Sequence, residues 1–269
     1  MNKSDEISKC LLEWLGYDVV VIPTSDREQK KEADFFITYG NESAIVEAKI
    51  KEDSEDVARK KEEKLLAGEV AIVEGKLGRN ETISGIIKQA KKQLRSSSDK
   101  EHDFKFISFI ATGSNPLTKA DQFKDTIYGS TLIVTPANGD SKTCYFYRNA
   151  DFFRHKLIDA AIIGYKQGEY ITVYLALNPY SENYERLKAS YFIRPFGDKY
   201  IDPIELEKQG KAYIPDAHID RKLTEIAQLT PLYNPIIHHL MEKYNLSFAI
   251  PVDFDSPELS IRTDYREKE

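Results

Sequence analysis

Apolar residues at Ile7, Cys10, Leu11, Trp14 and Leu15 recur at the three- and four-residue spacing of one helix face. Ser4 precedes them as an N-cap, Asp5 and Glu6 fill a first turn, and Gly16 stands where a C-terminal cap belongs. The pattern predicts a helix over 4–16. Three runs rich in β-branched and aromatic residues follow: YDVVVI (17–22), ADFFITYG (33–40) and SAIVEAKIK (43–51). The polar stretch PTSDREQKKE separates the first two, and GNES makes a turn between the last two, predicting a hairpin. Residues 52–82 are highly charged, helical around KKEEKLLAGE, with weak turn signals at Gly75 and Gly78. A clear helix is predicted over 83–95, apolar along Ile83, Ile86, Ile87, Ala90 and Leu94.

FKFISFIAT (104–112), STLIVTP (130–136) and KTCYFY (142–147) read as strands, DFFRHKLIDAAIIG (151–164) as a helix, and EYITVYLAL (169–177) as a further strand. From about Ser181 onward, helical pieces such as DRKLTEIAQL alternate with Pro-punctuated loops. The expected class is α/β. A mixed sheet flanked by helices occupies 1–180, and 181–269 forms a mixed or helical C-terminal extension, or a continuation of the same domain.

Composition narrows this picture. The chain has 269 residues, 41% hydrophobic and 30% charged, with a net charge of −6, which suits a globular protein with a sizeable core. The acidic balance excludes an indiscriminate basic coat but leaves room for local basic patches. Cys10 and Cys144 are the two cysteines, so no disulfide framework supports the fold and a reducing compartment is expected. The beginning MNKSDEISK carries no apolar stretch, and no run approaches the ~18 apolar residues of a membrane span. A cytoplasmic location away from membranes is the expectation.

Glu47 and Lys49 stand out against this background. They lie two apart in an otherwise apolar strand, so their side chains share a face. Acid-x-lysine spacing is common in this chain; what separates this pair is its apolar flanks, AIV before it and Ala48 and Ile50 between and after. Charges placed in a sheet interior are paired, bind a metal or serve a function. A two- or four-residue loop at GNES puts Asp34 opposite Lys49 and Phe36 opposite Glu47, bringing Asp34, Glu47 and Lys49 to one side of the hairpin. Two carboxylates with a backbone carbonyl suit a hard divalent cation such as Mg²⁺, which keeps waters and takes phosphate oxygens for its remaining positions. A neighbouring lysine can orient a water or stabilise charge on phosphate. The plain alternative is a structural ion pair.

Asp34, twelve intervening residues, then Glu47-Ala48-Lys49, after a helix and a strand, resembles the PD-(D/E)xK nuclease superfamily. The match covers about residues 1–112, and 4–50 is most similar to Holliday-junction-resolvase-like nucleases. Ala33 stands where the motif's name has proline, and 52–82 is a long insertion. The resemblance implies a restriction-endonuclease-like fold beginning helix–strand–strand–strand–helix–strand. It implies Mg²⁺ or Mn²⁺ held by Asp34, Glu47 and the Ala48 carbonyl, with Lys49 acting on the attacking water. Glu6 matches the acid that many such nucleases carry on the first helix, with Glu13 as a fallback. Lys88, Gln89, Lys91, Lys92 and Arg95 would approach a nucleic-acid backbone. The activity implied is DNA endonuclease, with RNA cleavage or a non-catalytic binding module of the same fold as alternatives. Cutting both strands of a duplex makes a homodimer a further expectation.

Other motifs offer less. His218, His238 and His239 lack ligand spacing, EGKLGRNET lacks the phosphate-loop pattern, and no GxSxG elbow occurs.

Overall fold

A computed structural model describes residues 3–23, 32–97, 101–136, 139–222 and 233–261. The first helix, α1 (Lys3–Trp14), ends in a Schellman motif: Gly16, at φ 87°, donates to Glu13 O and Tyr17 donates to Leu12 O. The strands β1 (Asp18–Val21), β2 (Phe35–Tyr39) and β3 (Glu42–Lys51) form an antiparallel meander. Next come α2 (Glu55–Leu66), β4 (Ala71–Val73) and α3 (Glu81–Ser96), capped by the Asn80 side chain. β5 (Phe104–Ala111) then pairs parallel to β3. α2 buries no residue, as its nearly continuous charge requires.

The middle of the chain holds α4 (Pro116–Tyr128), β6 (Thr131–Thr135), β7 (Asp140–Cys144), the single turn α5 (Asp151–Arg154), β8 (Ala160–Gln167) and β9 (Tyr170–Leu177). The final part adds α6 (Tyr184–Lys188), a 3-10 helix (Tyr191–Phe196), β10 (Tyr200–Ile201), α7 (Pro203–Lys208), β11 (Ala212–Tyr213), α8 (Pro235–Tyr244), β12 (Ile250–Val252) and β13 (Glu258–Ser260).

The result is α/β, with a seven-stranded mixed sheet in the order β1-β2-β3-β5-β8-β9-β10. Helices cover both faces. Leu11, Leu12 and Leu15 of α1 pack with Leu187, Phe192 and Phe196 on one side. Ile83, Ile87, Ala90 and Leu94 of α3 pack with Phe123 and Ile127 of α4 on the other. A four-stranded sheet, β11-β7-β6-β12, packs with α8 around Ile133, Cys144, Tyr147, Ile237 and Leu240. Both sheets draw strands from either side of residue 180. β13 pairs with β4, tying the charged insertion to the last described residues.

Three expectations are corrected. Residues 151–164 are not one helix: after α5 the chain enters β8, whose buried AAII sits between β5 and β9. The helix α4 is not among the expected elements: Pro116 in its first turn is a usual starting signal, but Asn115 at its cap is left-handed and makes no side-chain cap bond. The hairpin turns at Gly40-Asn41, with Gly40 at φ 65° and Tyr39 paired to Glu42, the glycine placement of a type II′ turn. That register shifts the pairing by two residues, so Asp34 comes opposite Glu47 rather than Lys49. An even shift keeps every side chain on its face. Most of DRKLTEIAQL lies outside the described residues.

Candidate active site

β3 runs between β2 and β5 through Ala44–Val46, but regular β2 pairing stops at Phe35–Val46. One further backbone bond follows, from Asp34 N to Val46 O at 3.1 Å. Beyond it, Ala48 N donates 2.7 Å to Asp34 Oδ2, so a side chain takes over where the neighbouring strand ends. N–H and C=O of one strand residue point to the same side. The Ala48 carbonyl therefore faces the Asp34 side of β3.

Glu47 and Lys49 project from β3 towards α3. Glu47 is fully buried, Lys49 is 18% exposed, and Lys49 Nζ lies 2.5 Å from Glu47 Oε1. Lys49 Nζ also donates 3.1 Å to Gln93 Oε1, and Gln93 Nε2 donates 3.4 Å to the Glu32 carbonyl. One residue of α3 thus links the lysine to the chain entering β2. Glu47 Oε2 is buried and has no hydrogen-bond partner. Two carboxylates cannot donate to one another, so a proton or a cation is needed to satisfy that oxygen.

The electrostatics follow from burial. Desolvation, and after it the Asp34 charge, pushes the Glu47 carboxyl up to about 8, with Lys49 opposing. Asp34 is also raised, first by burial, while its bond from Ala48 N works in the other direction. The charge of Asp5 raises Asp34 as well. Among the described residues no group of three His, Cys, Asp or Glu side chains is arranged to hold a metal. A cation here would take the two carboxylates and the Ala48 carbonyl, with waters or substrate oxygens completing its shell. The orphaned Glu47 oxygen and the raised carboxyls fit that occupant.

The structure brings Asp34, Glu47, Ala48 and Lys49 together. It does not bring Glu6 there: Glu6 is exposed, in an apolar groove with Trp14 and Tyr170. Glu13 is exposed too, 3.5 Å from Lys9. The buried stripe Ser8, Leu11, Leu12 and Leu15 fixes the rotation of α1, turning Glu6 and Glu13 outward and leaving Asp5 on the flank. Lys88, Gln89, Lys92 and Arg95 are exposed on the outer face of α3, and Lys91 is half-buried at one margin. The glutamine that reaches the site is Gln93, one helical turn after Gln89. Its place beside the apolar Ala90 and Leu94 was the signal available in the sequence.

Comparison of the chain with protein-family models, with curated proteins and with solved structures finds no match. No described helix is long and apolar enough to cross a membrane.

Proposed function

We propose that the chain is a metal-dependent nuclease of the restriction-endonuclease-like class, hydrolysing phosphodiester bonds in DNA. The observation that carries this reading is the buried Glu47, with its unpartnered oxygen, set against Asp34 and beside Lys49. The order α1, three antiparallel strands, a connecting α3 and a parallel β5 supports it.

In this reading Asp34, Glu47 and the Ala48 carbonyl hold Mg²⁺ or Mn²⁺. The cation would offset charge developing on phosphate and make water more acidic. Lys49, relieved of its bond to Glu47 and still held by Gln93, orients the attacking water or donates to the phosphate oxygens. The exposed cations of α3 lie against the backbone of the substrate, a contact that positions without reading sequence.

The short Lys49–Glu47 pair favours a second reading, in which the pair is structural and the protein binds nucleic acid without cutting it. The test is cleavage of plasmid, linear duplex, single-stranded DNA and RNA with Mg²⁺, Mn²⁺ or EDTA, beside Asp34→Asn and Lys49→Ala. Metal-dependent cutting lost in both variants supports the nuclease. Cutting that survives both sinks the site. Salt-sensitive binding without cutting selects the second reading, and preferential cutting of RNA changes the substrate.

A further inference from the structure

A cavity of about 670 Å³ opens on the α5 side of the molecule, between the segment 146–154 and the segment 214–221 that follows β11. Pockets of this size take small-molecule ligands. Its walls include Phe146, Phe153 and Tyr180. These rings meet edge to face, Phe146 and Tyr180 at 4.9 Å and 72°, Phe153 and Tyr180 at 5.0 Å and 85°. Phe146 is buried, whereas Phe153, at the rim, is 56% exposed.

Polar groups line both walls of the cavity, Asn149 and Arg154 on one and Asp216 and Asp220 on the other. Asn149 is half-buried, and its side-chain amide, which offers a donor and an acceptor side by side, bonds to no described residue. Arg154 is exposed at the rim and forms no ion pair with a described residue. Lys156 Nζ lies 5.7 Å from the Phe153 ring centroid. Phe146 holds a left-handed backbone at φ 59°, fixed by its N–H to Tyr128 O and by Arg221 Nε to its carbonyl. Backbone strain of this kind concentrates at ligand sites.

The cavity also adjoins the nucleic-acid face. His155, next to Arg154, is held low by burial and by the nearby charge of Lys91 on α3. Arg79, just before α3, donates 3.0 Å to the Asn149 carbonyl in the cavity wall and 3.2 Å to Ser84 Oγ of α3, which joins the cavity to the start of that helix.

We infer that this cavity receives an unpaired nucleobase of a strand lying across α3, stacked on Phe153 with its edge read by Asn149. This deepens the nuclease reading and rests on it for the path of the strand. It assigns a substrate with a single-stranded segment rather than a continuous duplex. Stacking tolerates any base, because every base has a π-face, whereas the Asn149 amide favours an edge carrying both a donor and an acceptor.

The test is binding in EDTA, so that no cleavage intervenes, of single-stranded oligonucleotides with 2-aminopurine at successive positions. Anisotropy and 2-aminopurine emission are read for wild type, Phe153→Ala, Phe153→Trp and Asn149→Ala, with melting curves to confirm folding. The inference requires emission to be quenched at one position, and Phe153→Ala to weaken binding about tenfold, with Phe153→Trp restoring it. A blunt duplex should show no such dependence on Phe153. Equal affinity of wild type and Phe153→Ala for the single strand overturns the inference, even if metal-dependent cleavage proves real. Free 2-aminopurine nucleotide binding as tightly as the oligonucleotide also overturns it, and makes the cavity a mononucleotide site. Phe153-dependent quenching without cleavage under any metal would keep the base site and reject the nuclease.

Discussion

The Asp34 carboxylate accepts the Ala48 N–H at 2.7 Å, standing in for β2, whose pairing with β3 stops at Phe35–Val46. Asp34 therefore has two separable duties, closing the edge of β3 and supplying a carboxylate to the site. Asp34→Asn keeps an acceptor for Ala48 and should keep most of the melting temperature while losing cleavage. Asp34→Ala leaves a nearly buried N–H unpaired, which costs about 1–3 kcal/mol. Paired melting and cleavage measurements decide this. Equal destabilisation by both substitutions would mean that the bond does not matter to the fold.

Gln93 acts through Lys49, so it is a positioning residue. Gln93→Leu removes the 3.1 Å bond to Lys49 Nζ and leaves the lysine to Glu47 alone. A loss of about tenfold in kcat with little change in KM is expected, smaller than the 10²–10⁴-fold expected for Lys49→Ala. Gln93→Glu should alter the pH profile by adding a second acid beside the lysine. Gln89→Ala, on the exposed face, should leave kcat unchanged. If Gln89 matters and Gln93 does not, the bond to Lys49 has no catalytic role.

How far these features could be read from sequence depended on whether one local pattern settled the geometry. The spacing of Ile7, Cys10, Leu11, Trp14 and Leu15 located α1, although Cys10 and Trp14 of that face are exposed, and branched residues located β1, β2 and β3. The orientation of Glu6 and Glu13 was different, because the apolar spacing drew the buried face through Cys10 and Trp14, whereas packing centres it on Ser8, Leu11, Leu12 and Leu15. The β8 stretch AAIIG is buried on both faces, so it carries neither a two-residue nor a 3.6-residue period, and alanines suggested a helix. In α4, buried Thr118 and Thr126 interrupt the apolar stripe. The hairpin register needed the glycine at the first central turn position, a choice that left the faces of Glu47 and Lys49 unaffected.

The outer face of α3 should govern affinity rather than chemistry. Lys88, Lys92 and Arg95 are exposed and form no ion pair with a described residue. Replacing all three with alanine should weaken binding uniformly across sequences and flatten the log–log salt dependence by about two to three. Turnover at saturating substrate should change little. An unchanged salt slope would move the nucleic acid to another surface.

Glu47 gives the pH dependence a sign. Its carboxyl titrates near 4.5 when free and is raised to about 8 in the fold, chiefly by burial and then by Asp34. Between those values the folded protein holds a proton that the unfolded chain has released. Metal-free stability from this group is therefore fully present below about 4.5 and is lost as pH rises through about 8. Glu47→Gln cannot titrate, so the difference in melting temperature between wild type and variant should shift in favour of the variant across that range. The same proton competes with a divalent cation for the carboxylates, so cation affinity and cleavage should climb with pH and level off above about 8. Added Mg²⁺ or Mn²⁺ should then restore wild-type stability at alkaline pH, and should do nothing for the variant. Parallel melting-temperature curves for the two proteins, together with cleavage that is flat from about pH 6 to 9, would remove Glu47 as the titrating ligand.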